Sequence, residues 1–303
     1  ALNPGKTDSE YEITDKYGRN GVYTPETGTT SWTFRVPESG WYSITIEYYP
    51  VEGKNTAIER EFYINGEVPF DGAYSLSFPK VYDFVYKNAA YRITDKTKTA
   101  AELLSRAEEL GLTANTENRT DGTYVVFEMP EYWTEARRQF LSEELGLRFF
   151  QTDTEGNEIR PTSAQTPRWS EYSLHDSSGY SAENFMFALD EGNVTISLAG
   201  VNEALVISSF RLTPYESYIS YADYLEKYKD EKQGTSVVKL ESEYASSTSS
   251  NTVYAVEDRT SAATSPADPS RTLLNTIGGE QWQNAGQFIT YKFRVDNSGL
   301  YNI

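Results

Sequence analysis

A stretch of residues near the start of the chain recurs at its end. Residues 31–44 and 290–303 share seven identical amino acids at a constant offset of 259 positions. In the first copy these are Phe34, Arg35, Val36, Ser39, Gly40, Tyr42 and Ile44. The triplet Ser-Glu-Tyr precedes both copies, at 9–11 and at 242–244. A repeat of so long a period indicates duplicated domains, not a solenoid of short units.

The second copy ends at Ile303, in the middle of a predicted strand. A β-sandwich cannot bury its core when most of its strands are absent. We therefore expect a truncated second domain here and a natural protein that continues beyond Ile303.

The chain around the first copy predicts strands with one apolar face. Residues 31–49 alternate apolar and polar side chains in two runs, separated by a turn at 37–40. Another alternating run ends at Asn65-Gly66, a pair that supplies the positive φ angles of a tight hairpin turn. Further runs lie at 123–128, 170–174, 185–189, 194–198 and 204–212. Many short strands with turn residues between them predict a mostly β protein, an antiparallel jelly-roll-like β-sandwich.

Three helices interrupt the strands. Thr99 and Glu102 have the spacing of a capping box before an apolar stripe. Helical patterns also run over about 131–145 and 217–229. We predict a β-sandwich module over 1–214 with a helix–strand–helix insertion at about 84–150. A linker helix over 215–234, packed on a neighbouring region, would lead to the first part of a second sandwich over 235–303.

Composition excludes several kinds of site. The chain has 303 residues, a formal charge of −18, no cysteine and one histidine, His175. The missing cysteines rule out thiol nucleophiles, disulfides and cysteine-ligated metals. The acidity argues against binding nucleic acid, because that partner needs a basic face. No run of about 18 apolar residues is present, so we expect no membrane insertion by this part of the protein.

Residues 32–49 resemble the strand signature of carbohydrate-binding-module-like β-sandwiches of the galactose-binding type, and 62–70 are similar to their next hairpin. Residues 153–161 and 167–169 resemble the sandwich region that precedes the solute-binding domain in large extracellular solute-binding proteins of Gram-positive ABC transporters. The resemblance covers about 1–83, 151–230 and the chain from about 236. Residues 84–150 depart from it, and the solute-binding domain itself is absent from this sequence.

The resemblance implies a noncatalytic, extracellular module of a larger bacterial surface protein, which binds carbohydrate or presents a further domain of the parent chain. The cysteine-free, acidic, tyrosine-rich composition is consistent with a cell-surface location. Two alternatives remain. The chain could be a structural spacer or protein-interaction module, or it could be an accessory region of a polysaccharide-active enzyme.

Aromatic side chains beside polar ones are the expected glycan-binding groups, since a sugar ring stacks on an aromatic face while its hydroxyls need hydrogen-bond partners. The candidates are Tyr132, Trp133, Asn157, Arg160, Trp169 and Trp282. Each has a structural alternative. Trp133 has the helical spacing of a packing residue, and Asn157 follows Gly156 in a sequence typical of an Asx-type turn.

No cofactor is required by these patterns, but a structural calcium ion is one hypothesis. Calcium takes carboxylate and carbonyl oxygens. Acidic residues begin each copy, and we name Glu10, Glu12, Glu241 and Glu243 as candidate ligands.

Catalysis is the competing class. Paired carboxylates could cleave a glycoside, but with 45 acidic residues any two can fall close together, so this signal has little specificity. His175 is preceded by no Gly-x-Ser-x-Gly motif and is expected at the surface. We therefore predict that the chain is not an enzyme.

Overall fold

The computed structural model describes residues 12–15, 17–94, 98–181, 183–216 and 218–303. The protein is mostly β, with 37% strand and 12% helix. The sheets are antiparallel, and three short helices accompany them. The predicted fold class is confirmed.

Two sheets form a sandwich around the largest core. The first contains β1 (Glu12–Thr14), β2 (Gly21–Thr24), β4 (Gly40–Pro50), β14 (Ser170–Ser173), β15 (Phe187–Leu189) and β17 (Leu205–Pro214). Their order is β1-β2-β17-β4-β14, and β15 also pairs with β4. The second contains β3 (Thr29–Val36), β5 (Ile58–Ile64), β6 (Ser75–Phe78) and β16 (Gly192–Asn202), in the order β3-β16-β5-β6.

The alternating pattern explains this core. Val36, Ile44 and Ile46 are fully buried, whereas Arg35 and Trp41 on the opposite faces of their strands are exposed. The turn at 37–40 carries the chain from one sheet to the other, so the two predicted runs lie on opposite sides of one core.

The predicted turn at Asn65-Gly66 is observed. Both residues have positive φ, 52° and 85°, and Ile64 and Glu67 exchange backbone hydrogen bonds across it. Asparagine tolerates this left-handed region and glycine adopts it freely, so these two residues suit the position.

The insertion has its own core. Its sheet has the order β8-β10-β9, formed by β8 (Ala89–Arg92), β9 (Ala114–Arg119) and β10 (Gly122–Phe127). Helix α1 (Ala100–Glu109) begins at the predicted capping box. Helix α2 (Glu135–Arg138) continues as a π-helical segment, Gln139–Glu144. It starts later than predicted because the Thr134 side chain caps it, accepting from the Arg137 amide at 3.2 Å.

The remaining strands include a pair that joins the C-terminal segment, residues 235–303, to the rest of the molecule. The remaining strands are β7 (Tyr82–Val85), β11 (Gln151–Thr152), β12 (Glu158–Ile159), β13 (Thr162–Gln165), β18 (Ser247–Thr248), β19 (Ala255–Val256), β20 (Thr276–Ile277) and β21 (Ile289–Thr290). One sheet has the order β13-β7-β18-β21, in which β7 and β18 form the joining pair, and β11-β12 and β19-β20 form two-stranded sheets. Tyr244, Ala255 and Leu274 complete the core of the insertion. The C-terminal segment therefore packs on the first module.

Both copies of the repeat form the same turn, but the described residues of the second copy form no strands of the length of β3 and β4. Tyr42 donates its hydroxyl hydrogen bond to the Glu38 carbonyl, and Tyr301 makes the same bond to the Asn297 carbonyl. In the second copy, Phe293 is 52% exposed and lies outside any strand. The turn depends only on residues close in the sequence, so it forms in both copies. A strand is stabilised by neighbouring strands, which β3 and β4 have in the first copy.

The connector between the two regions contains helix α3 (Tyr221–Lys227). None of its residues is buried, and Tyr221 is 76% exposed. The expectation that this helix packs against a neighbouring region is wrong, because its aromatic stripe faces outward.

Candidate functional site

A polar cleft lies between the sandwich and the C-terminal segment. It consists of two adjoining cavities, of about 220 Å³ and 280 Å³, that share Asn55, Tyr82 and Asn251. The first cavity is also lined by Thr56, Ala57, Ser77, Phe78, Pro79, Lys80, Tyr172, His175, Ser177, Ser249, Ser250, Asn284, Ala285, Gly286 and Gln287. The second is also lined by Arg160, Pro161, Thr162, Ser163, Gln165 and Tyr254.

Strand pairing places the two walls of the cleft. Thr248 in β18 pairs with Tyr82 in β7, so the residues that follow β18 lie opposite the sandwich residues that line the first cavity. On the other side of β7, Gln165 pairs with Tyr82. Sheet hydrogen bonds thus bring together segments that are far apart in the sequence.

The lining chemistry is unusual for so acidic a chain. Among the described residues that line the cleft, none is Asp or Glu. Amide and hydroxyl side chains predominate instead. Asn55 and Asn251 reach both cavities from opposite walls, and neither side chain makes a hydrogen bond among the described residues. Each amide therefore offers one acceptor and two donor hydrogens to a ligand.

A buried ion pair supports the floor of the cleft. The Lys80 ammonium lies 3.2 Å from a Glu203 carboxylate oxygen, and it also donates to the Lys54 carbonyl at 2.7 Å. Glu203 accepts from the Lys54 amide and the Thr56 hydroxyl. These bonds fix the loop that carries Asn55.

Burial alone would raise the pKa of Glu203. The hydrogen bonds from Lys80 and Thr56, together with the Lys80 charge, outweigh that effect and hold the pKa below its usual value. The carboxylate is therefore ionised at neutral pH.

His175 and Tyr172 lie side by side in the wall, with ring centroids 4.9 Å apart. The Ser173 carbonyl, 2.7 Å from Nδ1 of His175, can only accept, so Nδ1 carries the hydrogen and a neutral ring leaves Nε2 as an acceptor. Burial raises the pKa of the Tyr172 hydroxyl, which stays protonated. The sequence predicts a surface position for His175, but the side chain is half-buried and lines the cleft.

The structure places Trp133 inside the protein. It is 7% exposed and packs against Phe149 and Tyr244, with centroids 6.2 Å and 5.8 Å away. Its ring is thus not free to stack on a ligand. Tyr132 stacks instead on the Arg137 guanidinium, 4.2 Å away. The helical spacing of Trp133 already favoured this packing alternative.

Trp169 is half-buried on the outer side of the sandwich. Its indole donates to the Tyr17 carbonyl at 2.8 Å, and its ring meets the edge of Tyr49 at 5.6 Å. Trp282 is 49% exposed beside the cleft, and its indole donates to the carbonyl of Gln287, a lining residue. Of the three predicted tryptophans, Trp282 is the one that borders the cleft.

Asn157 forms part of the predicted Asx-type turn. Asp153 accepts from the backbone amide of Asn157 at 2.8 Å and from its side-chain amide at 2.9 Å. The Asn157 side-chain oxygen accepts from the Thr272 amide at 2.8 Å. This side chain therefore ties its loop to the C-terminal segment.

Replacing Asn157 with alanine is expected to lower the free energy of unfolding by about 1–2 kcal/mol, because a structural hydrogen bond to Thr272 is lost. Urea unfolding of the variant measures the change. Asn193→Ala, at an exposed position of the sandwich, is the control and should change stability by less than about 0.5 kcal/mol. An Asn157→Ala chain of unchanged stability would contradict this structural role.

Two of the four candidate calcium ligands form ion pairs with cationic side chains. Glu10 and the side chain of Glu12 lie outside the described residues. Glu241 pairs with Lys239 at 3.1 Å, and Glu243 pairs with Arg148 at 2.7 Å. The part of the chain that the structure describes contains no group of three or more His, Cys, Asp or Glu side chains suited to a metal ion.

Arg160, a predicted ligand-binding residue, lines the second cavity, whereas the sequence patterns did not predict Asn55, Tyr82 or Asn251. Single asparagines in loops carry no distinguishing pattern, and the walls meet only through long-range strand pairing. A comparison with protein-family models, curated proteins and solved structures finds no match. Within the described residues, no helix has both the length and the apolar character needed to cross a membrane.

Proposed function

We propose that this chain is a noncatalytic carbohydrate-binding module of a larger bacterial surface protein, and that it binds an oligosaccharide in the cleft. The observation that carries the proposal is the pair of free amides, Asn55 and Asn251, in a cleft whose described lining residues include no carboxylate. Sugar hydroxyls both donate and accept, so side-chain amides and hydroxyls are matching partners.

The absence of carboxylates supports a noncatalytic role. Glycosidases in most families need a pair of carboxyl groups, one on each side of the scissile bond. Among the described lining residues of this cleft there is no Asp or Glu, so neither member of such a pair is present. Residues 32–49 resemble carbohydrate-binding-module-like sandwiches, and residues 153–161 resemble a region of extracellular solute-binding proteins. Both resemblances support the same proposal, including its cell-surface location.

Trp282 gives the cleft an aromatic rim. Its exposed indole can cover the apolar face of a sugar ring, while Gln287, to which it is bonded, lines the first cavity. Tyr82 and Tyr254 also line the second cavity.

We expect Asn55→Ala and Asn251→Ala each to weaken glycan binding by up to roughly tenfold, because each loses hydrogen bonds made by a free amide. Retention of the whole chain on a glycan array, followed by titration of the best ligand, measures the effect. Asn193→Ala, an exposed asparagine away from the cleft, is the matched control and should bind as the parent chain does.

If the parent chain binds neither neutral nor acidic glycans, this proposal is overturned and the structural spacer is favoured. A polysaccharide-cleaving activity that stays with the purified chain and is lost when the chain is mutated would overturn the proposal that the chain is noncatalytic.

A further inference from the structure

The second cavity contains a guanidinium without an acidic partner in the part of the chain that the structure describes. Arg160 follows β12, and its guanidinium carbon lies 4.3 Å from the centre of the Tyr254 ring. Among the described residues, no Asp or Glu forms an ion pair with Arg160, although the chain carries 45 acidic residues. The stacked ring holds the guanidinium in place and leaves its donor hydrogens free.

A second donor in the same cavity is also unmatched. The side-chain oxygen of Gln165 accepts from the Gly53 amide at 2.9 Å, which fixes the orientation of the Gln165 amide group. Its Nε2 is then buried without a hydrogen-bond partner among the described residues. A buried donor left unpaired costs free energy, and no acceptor among the described residues offsets that cost here.

Both of these unmatched groups are donors only, and a carboxylate is an acceptor only. A carboxylate also matches the planar guanidinium, since two parallel N–H···O bonds can form between them. The net charge of −18 disfavours anion binding in general, but no acidic side chain among the described lining residues of this cavity adds local repulsion.

We propose that the second cavity receives the carboxylate of an acidic saccharide of the uronic-acid class, with Arg160 as its charged partner. This inference rests on the proposed function and specifies the ligand class for the same cleft. The neutral hydroxyls of the saccharide would then lie toward Asn55 and Asn251, the residues that join the second cavity to the first.

The test uses the whole chain on an array that carries neutral, uronate-bearing and sulfate-bearing oligosaccharides. The best uronate ligand is then titrated beside its methyl ester, which has the same sugar without the charge. We expect the parent chain to prefer the uronate, and Arg160→Gln to weaken that binding by roughly 10- to 100-fold while leaving the ester unchanged. Arg35→Gln, at an exposed arginine of the sandwich, is the control and should bind as the parent does.

The outcomes separate the two proposals. Equal binding of uronate and ester, or uronate binding that survives Arg160→Gln, would overturn the inference and leave carbohydrate binding intact. A preference for sulfate-bearing glycans would overturn the carboxylate assignment. Binding to no saccharide at all would overturn the proposed function, and the inference with it.

Discussion

Replacing Arg148 with methionine is expected to lower the free energy of unfolding by about 3–5 kcal/mol. Arg148 makes two parallel bonds to Glu158, each 2.8 Å, and one to Glu243 at 2.7 Å. The side chains of both glutamates are nearly inaccessible, 3% and 1% exposed. Methionine would fill similar space but leave two carboxylates buried without their cation.

The three residues belong to different parts of the molecule, which is why the effect should be large. Arg148 lies at the end of the insertion, Glu158 in β12, and Glu243 in the C-terminal segment. The rings of Phe150 and Tyr244 flank the guanidinium at 5.2 Å and 5.5 Å. Burial raises the pKa of Glu243 even with Arg148 present, so the site tolerates an unpaired carboxylate poorly.

Urea unfolding of Arg148→Met beside Arg106→Met measures the difference. Arg106 pairs with Glu109 at the surface, where both side chains are about half exposed, so its loss should cost less than about 0.5 kcal/mol. Limited proteolysis should also cut the C-terminal segment of Arg148→Met sooner than that of the control. Equal stabilities of the two variants would show that this buried cluster does not hold the segment in place.

Replacing Glu203 with glutamine should cost about 3–5 kcal/mol at pH 7, because Lys80 then stays buried with its charge unpaired. The Lys80 and Glu203 side chains are 2% and 5% exposed. The control is Glu26→Gln, which removes an exposed partner of Lys54 in the same region and should change stability by less than about 1 kcal/mol.

The stability difference between the parent chain and Glu203→Gln should also depend on pH. The pKa of Glu203 is lower in the folded chain than the ordinary value, about 4.3, expected when the chain is unfolded. Its ionised form therefore stabilises the fold above about pH 4.3, and that contribution is lost as the pH falls through the folded pKa. Since glutamine resembles the protonated side chain, the stability gap between parent and variant should narrow from about pH 5 downward. A gap of constant size across that range would contradict the assignment.

Local patterns in the sequence predicted local structure well. Alternation located the sandwich strands, and the spacing of Thr99 and Glu102 located the start of α1. Asn65-Gly66 predicts a tight turn, and both residues adopt the positive φ angles of such a turn. Each of these signals depends on residues within a few positions of one another, so the chain segment itself contains the whole cause.

Features that depend on distant partners were not predictable in this way. Glu243 is an acidic residue in an acidic chain, and nothing near it in sequence shows that Arg148, 95 positions away, buries it. Trp133 has the spacing of a packing residue, but Tyr244, which covers it, comes from the C-terminal segment. The cleft is the extreme case, since its walls meet only after β7 pairs with β13 and β18.

The way the cleft is assembled bears on the order in which the protein matures. Asn55 leaves the ribosome long before Asn251, and contacts between such distant segments form slowly because a long loop must first close. A partly synthesised chain can complete much of its sandwich without having a cleft at all. A ligand held by both walls would bind only to molecules that have finished folding, and mass action would then protect those molecules from unfolding. Ligand binding would in that way distinguish mature copies of the protein from immature ones.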